Sequence, residues 1–128
     1  MGLRVDISAG ELVDKITILE IKLMFIEDEA KRQNISKELT TLNHSYLSDV
    51  GESSELLALK ESLKGINLEL WKIEDDIREC ERQSAFGDEF IKLARLVYHT
   101  NDKRAALKKD INTLTGSELV EEKSYAAY

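Results

Sequence analysis

The sequence has no proline, one cysteine and only six glycines. Without proline no helix is broken from within, and little glycine means few forced turns. A composition led by Glu, Lys, Leu and Ile then favours long helices. The lone cysteine, Cys80, excludes an intramolecular disulfide. It falls on an apolar stripe, which suits a small buried thiol better than a nucleophile. No window approaches the ~18 apolar residues of a membrane span, so no membrane insertion is expected. The first residues, "MGLRVDISAGELVDK", lack the apolar core of a signal peptide, and a cytoplasmic location is the expectation. A net charge of −7 lacks the basic face that phosphate neutralisation demands, so no nucleic acid is expected as a partner.

What remains is a pattern of long helices in a chain of 128 residues, enough for a single helical domain over 1–128. "LRVDIS" alternates Leu3, Val5 and Ile7 with polar residues, the signature of a short N-terminal strand or an extended lead-in. Ser8, with Glu11 three residues on, forms a capping box and starts a helix near Ala9. Leu12, Ile16, Leu19, Leu23, Ile26 and Ala30 give it a heptad seam. A second stripe, Ile18, Ile21 and Phe25, marks a second covered face and a candidate interaction surface. The phase breaks near residues 32–34. Leu56, Leu59, Leu63, Ile66, Leu70, Ile73, Ile77 and Cys80 then form the strongest seam in the chain. The spacing predicts helices over about 9–31, 34–48, 52–83 and 88–115, with a tail at 117–128. The third is roughly 45 Å long at 1.5 Å per residue. The fold class is therefore all-α: an elongated antiparallel bundle of about four helices, with a homo-oligomer expected.

The last helix breaks its own apolar stripe. "VYHTNDKRAAL" (97–107) puts Thr100, Asn101 and Arg104 where Leu or Ile belongs. In an antiparallel hairpin turning at 84–87, Arg104 lies level with Asn67. A buried guanidinium needs a carboxylate and further acceptors. Glu69 is the first candidate, with Asn67, Glu74, Glu20 and Asp14 as others. Two readings follow: a polar layer that fixes helix register, or an anion site in which Arg104 grips the ligand and Asn101 and Thr100 complete it.

Carboxylates are plentiful. Glu69, Glu74 and Asp76 on the third helix are candidate ligands for magnesium or manganese, the cofactors such a site would take. Glu11/Asp14 and Asp76/Glu79 also have the spacing used by all-α nucleotide pyrophosphohydrolases. The ordinary meaning of such a pattern is a solvated face with i,i+4 ion pairs such as Glu74–Arg78. His44 and His99 are isolated, no Gly-rich loop cradles phosphate, and no nucleophile elbow is present. No catalytic residue is assigned.

"GELVDKITILEIK" (10–22), "LWKIEDDIRE" (70–79), "FIKLARLVYHTNDKRAALKKDIN" (90–112) and "GSELVEEKSY" (116–125) resemble segments of a small bacterial family, domain of unknown function 6165. The resemblance spans nearly the whole chain and is weakest over 31–55. It implies a helical cytoplasmic protein from polysaccharide-biosynthesis or phage settings, and carries no catalytic residues. The reading that follows is a non-catalytic helical interaction or assembly module, homodimeric or binding a protein partner, with no cofactor. The alternative is a magnesium- or manganese-dependent phosphohydrolase or binder of a nucleotide or nucleotide sugar.

Overall fold

A computed structural model describes residues 1–128. It contains α1 (Ala9–Phe25), α2 (Glu29–Ser45), a π-helical turn (Tyr46–Val50), α3 (Ser54–Arg82) and α4 (Asp88–Thr115), and no strand. Residues 1–7 lie outside any helix or strand and are exposed, and none of their backbone groups makes a backbone hydrogen bond. The alternating segment is therefore an unpaired arm, because the chain offers it no second strand.

The first three α-helices each begin where a short polar side chain caps them, whereas α4 starts at Gly87 without one. Ser8 Oγ accepts from the Glu11 N–H at 3.1 Å, Asp28 from Lys31 at 3.0 Å, and Ser53 from Leu56 at 3.1 Å. Asp28 explains the shift in the first two helices. The chain turns extended at Ile26 (ψ 124°), so α1 ends at Phe25 rather than near 31. It restarts at Glu29 rather than 34. Arg32 reaches back and donates to the Leu23 and Ile26 carbonyls at 2.5 and 2.9 Å. That satisfies acceptors left over at the end of α1. Gly116 takes the left-handed position (φ 65°) that closes α4.

The long α3 and α4 form an antiparallel hairpin through the 83–87 turn, and α1 packs against α2, α3 and α4 alike. It is the central helix, and this accounts for its surplus of apolar faces. Leu12, Val13, Ile16, Tyr46, Leu56, Leu63 and Ile111 make the buried cluster around it. The seventeen residues of α1 span about 26 Å and the twenty-nine of α3 about 44 Å, so the hairpin outruns its cover. The accessible surface is 8975 Å². A compact chain of this 14.6 kDa mass exposes about 6,900 Å².

Candidate functional site

The residues with most chemistry in them meet between α1, α3 and α4. Asp14 projects from α1 and is 1% exposed. Arg104 on α4 takes it as a fork: Nε to Oδ1 at 2.9 Å and Nη2 to Oδ2 at 2.5 Å. The Asn67 amide on α3 donates to the same Oδ1 at 2.9 Å and to Thr17 Oγ1 at 2.9 Å. The Thr17 hydroxyl donates to the Asp14 carbonyl at 2.8 Å. Arg104 Nη1 lies 3.5 Å from Asn101 Oδ1, and Thr100 is buried one turn away. The polar break in α4 thus has its complement on α1. Arg104 and Asn67 are level in the hairpin, as the register predicts, and Asp14 bridges them.

One turn towards the end of α4, the Lys108 ammonium contacts Glu11 at 2.8 Å and Glu121 of the tail at 2.7 Å. Beyond it, Asn112 Oδ1 accepts from the Gly10 N–H at 2.7 Å, and Ser117 Oγ from the Ala9 N–H at 3.3 Å. With Ser8 on Glu11, three of the orphan donors at the start of α1 are capped, two of them by residues about a hundred positions away. The close approach requires glycine. A Cβ on Gly10 would stand 2.5 Å from the Lys108 carbonyl oxygen and 2.9 Å from Asn112 Oδ1.

The electrostatics follow from this geometry. Burial pushes the Asp14 carboxyl up, but the Arg104 and Asn67 hydrogen bonds, aided by the charges of Arg104 and Lys108, outweigh it and hold the group below the usual carboxylate value. The bond to Asp14 raises the Arg104 guanidinium further still. Burial would lower the Lys108 ammonium; its two carboxylate partners reverse that and raise it. Lys108 in turn lowers Glu121. Three carboxylates (Glu11, Asp14, Glu121) face two cations (Arg104, Lys108). Lys15 lies 3.9 Å from the other oxygen of Glu11, so the charges of the seam balance, and no buried side-chain polar atom in it is without a partner.

The other sequence-derived candidates lie apart from this seam. Glu69, proposed as the arginine's first partner, is exposed on α3, because it sits on the hairpin's outer side; Asp14 takes the role instead. Glu74 and Asp76 are exposed too, and Glu74 lies 3.7 Å from Arg78. Glu69 and Asp76 are seven residues apart, about 10 Å along the axis, too far for one ion with bonds near 2 Å. No three His, Cys, Asp or Glu side chains converge anywhere in the chain. Glu79 is held by Arg82, and the Glu11/Asp14 pair is engaged by Lys108 and Arg104. In the second stripe of α1, Ile18 is half-buried, Ile21 is 1% exposed, and Phe25 stacks on Trp71 at 5.4 Å. Ile21 is therefore interior rather than open surface, since α1 is flanked by all three other helices.

Sequence reasoning undervalued Asp14, Thr17, Lys108 and Asn112. The available signal was a polar series on α1 at three-residue steps (Glu11, Asp14, Thr17) facing one on α4 (Asn101, Arg104, Lys108, Asn112). The tail returns along α4: Tyr128 sets its ring edge-on to His99 at 4.7 Å and its hydroxyl donates to Asp102.

The chain belongs to a family of unknown function, DUF6165, whose sequence profile matches residues 3–128. No curated protein matches it, and no solved structure does. No helix is long and apolar enough to cross a membrane.

Proposed function

We propose that this member of the family is a non-catalytic helical assembly module that works as a homodimer. The observation that carries the reading is surface. The chain exposes 8975 Å², about 2,000 Å² beyond a compact protein of its size. A stable two-body interface removes about 1,200–2,000 Å² in total. The surplus includes large apolar side chains spread along the extremities: Leu3, Val5, Phe86 and Ile91 are all more than half exposed. Meanwhile the polar residues best equipped for chemistry are engaged with one another. Arg104 and Lys108, the natural grips for phosphate, are already paired with Asp14, Glu11 and Glu121. An incoming anion would have to displace Glu121 from Lys108 and would still compete with Glu11 and Asp14 for the same two cations. The seam acts as a joint that sets how α1 sits on the hairpin.

Sedimentation velocity of the full chain over a wide concentration range tests this. The expected result is a concentration-dependent dimer. A monomer at every concentration overturns the reading.

A further inference from the structure

The arm, residues 1–7, lies outside the helices, and its backbone donors and acceptors have no backbone partners. Leu3 and Val5 are 80% and 75% exposed. Beside it lies an open groove of about 1490 Å³ between the arm, the end of α2 and the end of α4, with Leu42, Val50, Leu56 and Leu114 in its walls. That exceeds the ~300–1,000 Å³ of a small-molecule pocket, so the groove fits a chain segment better than a metabolite. An extended peptide with free backbone groups is completed by another strand.

The sequence of the arm selects which strand. "LRVDI" (3–7) is complementary to itself when reversed. Antiparallel pairing about Val5 sets Leu3 opposite Ile7 and Val5 opposite Val5 of the partner subunit, with the apolar side chains on one face. The same register sets Arg4 opposite Asp6 of the partner subunit, twice, on the other face. The nearest competing registers are poorer. In-register parallel pairing places like charges together, and a parallel pair offset by two residues matches arginine with aspartate once rather than twice. A slip of two residues sets Arg4 against Arg4 or Asp6 against Asp6. A slip of one turns apolar side chains against polar ones. Opposite charges directly across a ladder stabilise it and like charges oppose it.

We propose that the occupant of this edge is a second copy of the chain: two arms pair antiparallel about Val5, and their apolar face covers the grooves below. The pairing is isologous, so it closes as a dimer rather than a filament. A lone two-stranded ribbon is marginal in water, which is why the groove beneath the arm is part of the proposal. The inference rests on the homodimer reading above and names its interface.

Charge swaps test it in the full chain, followed by sedimentation velocity. Arg4→Asp alone sets its new carboxylate against Asp6 of the partner subunit. Asp6→Arg alone sets its new guanidinium against Arg4 of the partner subunit. Each should weaken self-association about tenfold or more. Mixing the two variants should restore association as a heterodimer, because every cross-strand pair is again of opposite charge. The double variant Arg4→Asp/Asp6→Arg should restore the homodimer. Circular dichroism should not change, because the arm lies outside the helices. In a Cys80→Ser background, Val5→Cys should form a disulfide-linked dimer on mild oxidation and Arg4→Cys should not, because only position 5 faces its own copy. A wild-type dimer indifferent to the swaps, with no Val5→Cys cross-link, overturns the arm pairing and leaves the assembly reading standing. A wild-type monomer overturns both.

Discussion

Removing the Asp14 carboxylate strikes the polar seam at its centre. Asp14→Ala leaves the Arg104 guanidinium and the Asn67 amide without their acceptor. Breaking a buried pair from one side costs about 3–5 kcal/mol. Arg104 keeps 30% of its side chain in solvent, which places this variant near the lower end, about 3 kcal/mol. Arg104→Met keeps the stem's packing and strands the more deeply buried partner, at about 4 kcal/mol. The double variant removes both charges together and should lose much less than the sum. A coupling of about 2–3 kcal/mol is expected from the cycle. The exposed Glu74–Arg78 pair is the internal control, with a coupling of about 0.3–0.5 kcal/mol. Urea unfolding followed by circular dichroism gives all the values, provided the slope stays constant across the set. The pH dependence has a definite sign. The carboxyl is held below its ordinary value in the fold. Its contribution is therefore complete above the unfolded value of about 3.9 and is lost as pH falls through the lowered folded value. Asp14→Asn should flatten the acid limb of the wild-type stability profile. A coupling below about 0.5 kcal/mol, or an unchanged acid limb, would refute the claim that the seam is a buried joint.

Gly10→Ala should destabilise by about 1–3 kcal/mol, because its Cβ meets the Lys108 carbonyl at 2.5 Å. Gly65→Ala, in mid-helix with open space around it, should stabilise by about 0.5–1 kcal/mol; equal effects in thermal unfolding would contradict the close approach. Burial and the hydrogen bond to Glu52 push the Tyr46 hydroxyl up to about 12. Its contribution is full below the unfolded value of about 10 and fades as pH rises through the folded one. Tyr46→Phe should therefore soften the loss of stability in that window, and an identical alkaline limb would count against it. Magnesium or manganese with nucleotides or nucleotide sugars should leave the melting temperature unmoved. A rise of several degrees, the size expected near 100 times a dissociation constant, would revive the phosphohydrolase alternative.

Much of the architecture was legible because α3 repeats its apolar residues at heptad spacing without a fault. That seam fixes a long helix and a register, and the register places Arg104 level with Asn67. The boundary between α1 and α2 was hidden because its decisive cap, Asp28, stands in the acidic run "IEDEA", where it looks like one more surface charge. The partner of Arg104 was obscured for a related reason. α1 announces two apolar faces, and periodicity says nothing of the polar third until the position of α4 is known. Lys108 and Glu121 were illegible for want of locality, since the tail's anchor depends on a loop closure that no pattern encodes.

The seam has a role that its net energy does not measure. Replacing a buried ion pair with well-packed apolar residues is often neutral or stabilising, so Asp14 and Arg104 are poorly explained as sources of stability alone. Geometry gives a better account. α1 and α4 run antiparallel, matched at Gly10 with Asn112, Glu11 with Lys108 and Asp14 with Arg104. A slide of one helical turn, about 5.4 Å, would break all three matches and uncap the start of α1. Apolar contacts alone would forgive such a slide, because Leu and Ile stripes pack in several registers. The polar matches permit one. They thereby fix where α1 begins relative to the hairpin, and so where the chain leaves Ser8 and enters the arm. If the arms carry the dimer, the buried aspartate and arginine set the geometry in which they meet.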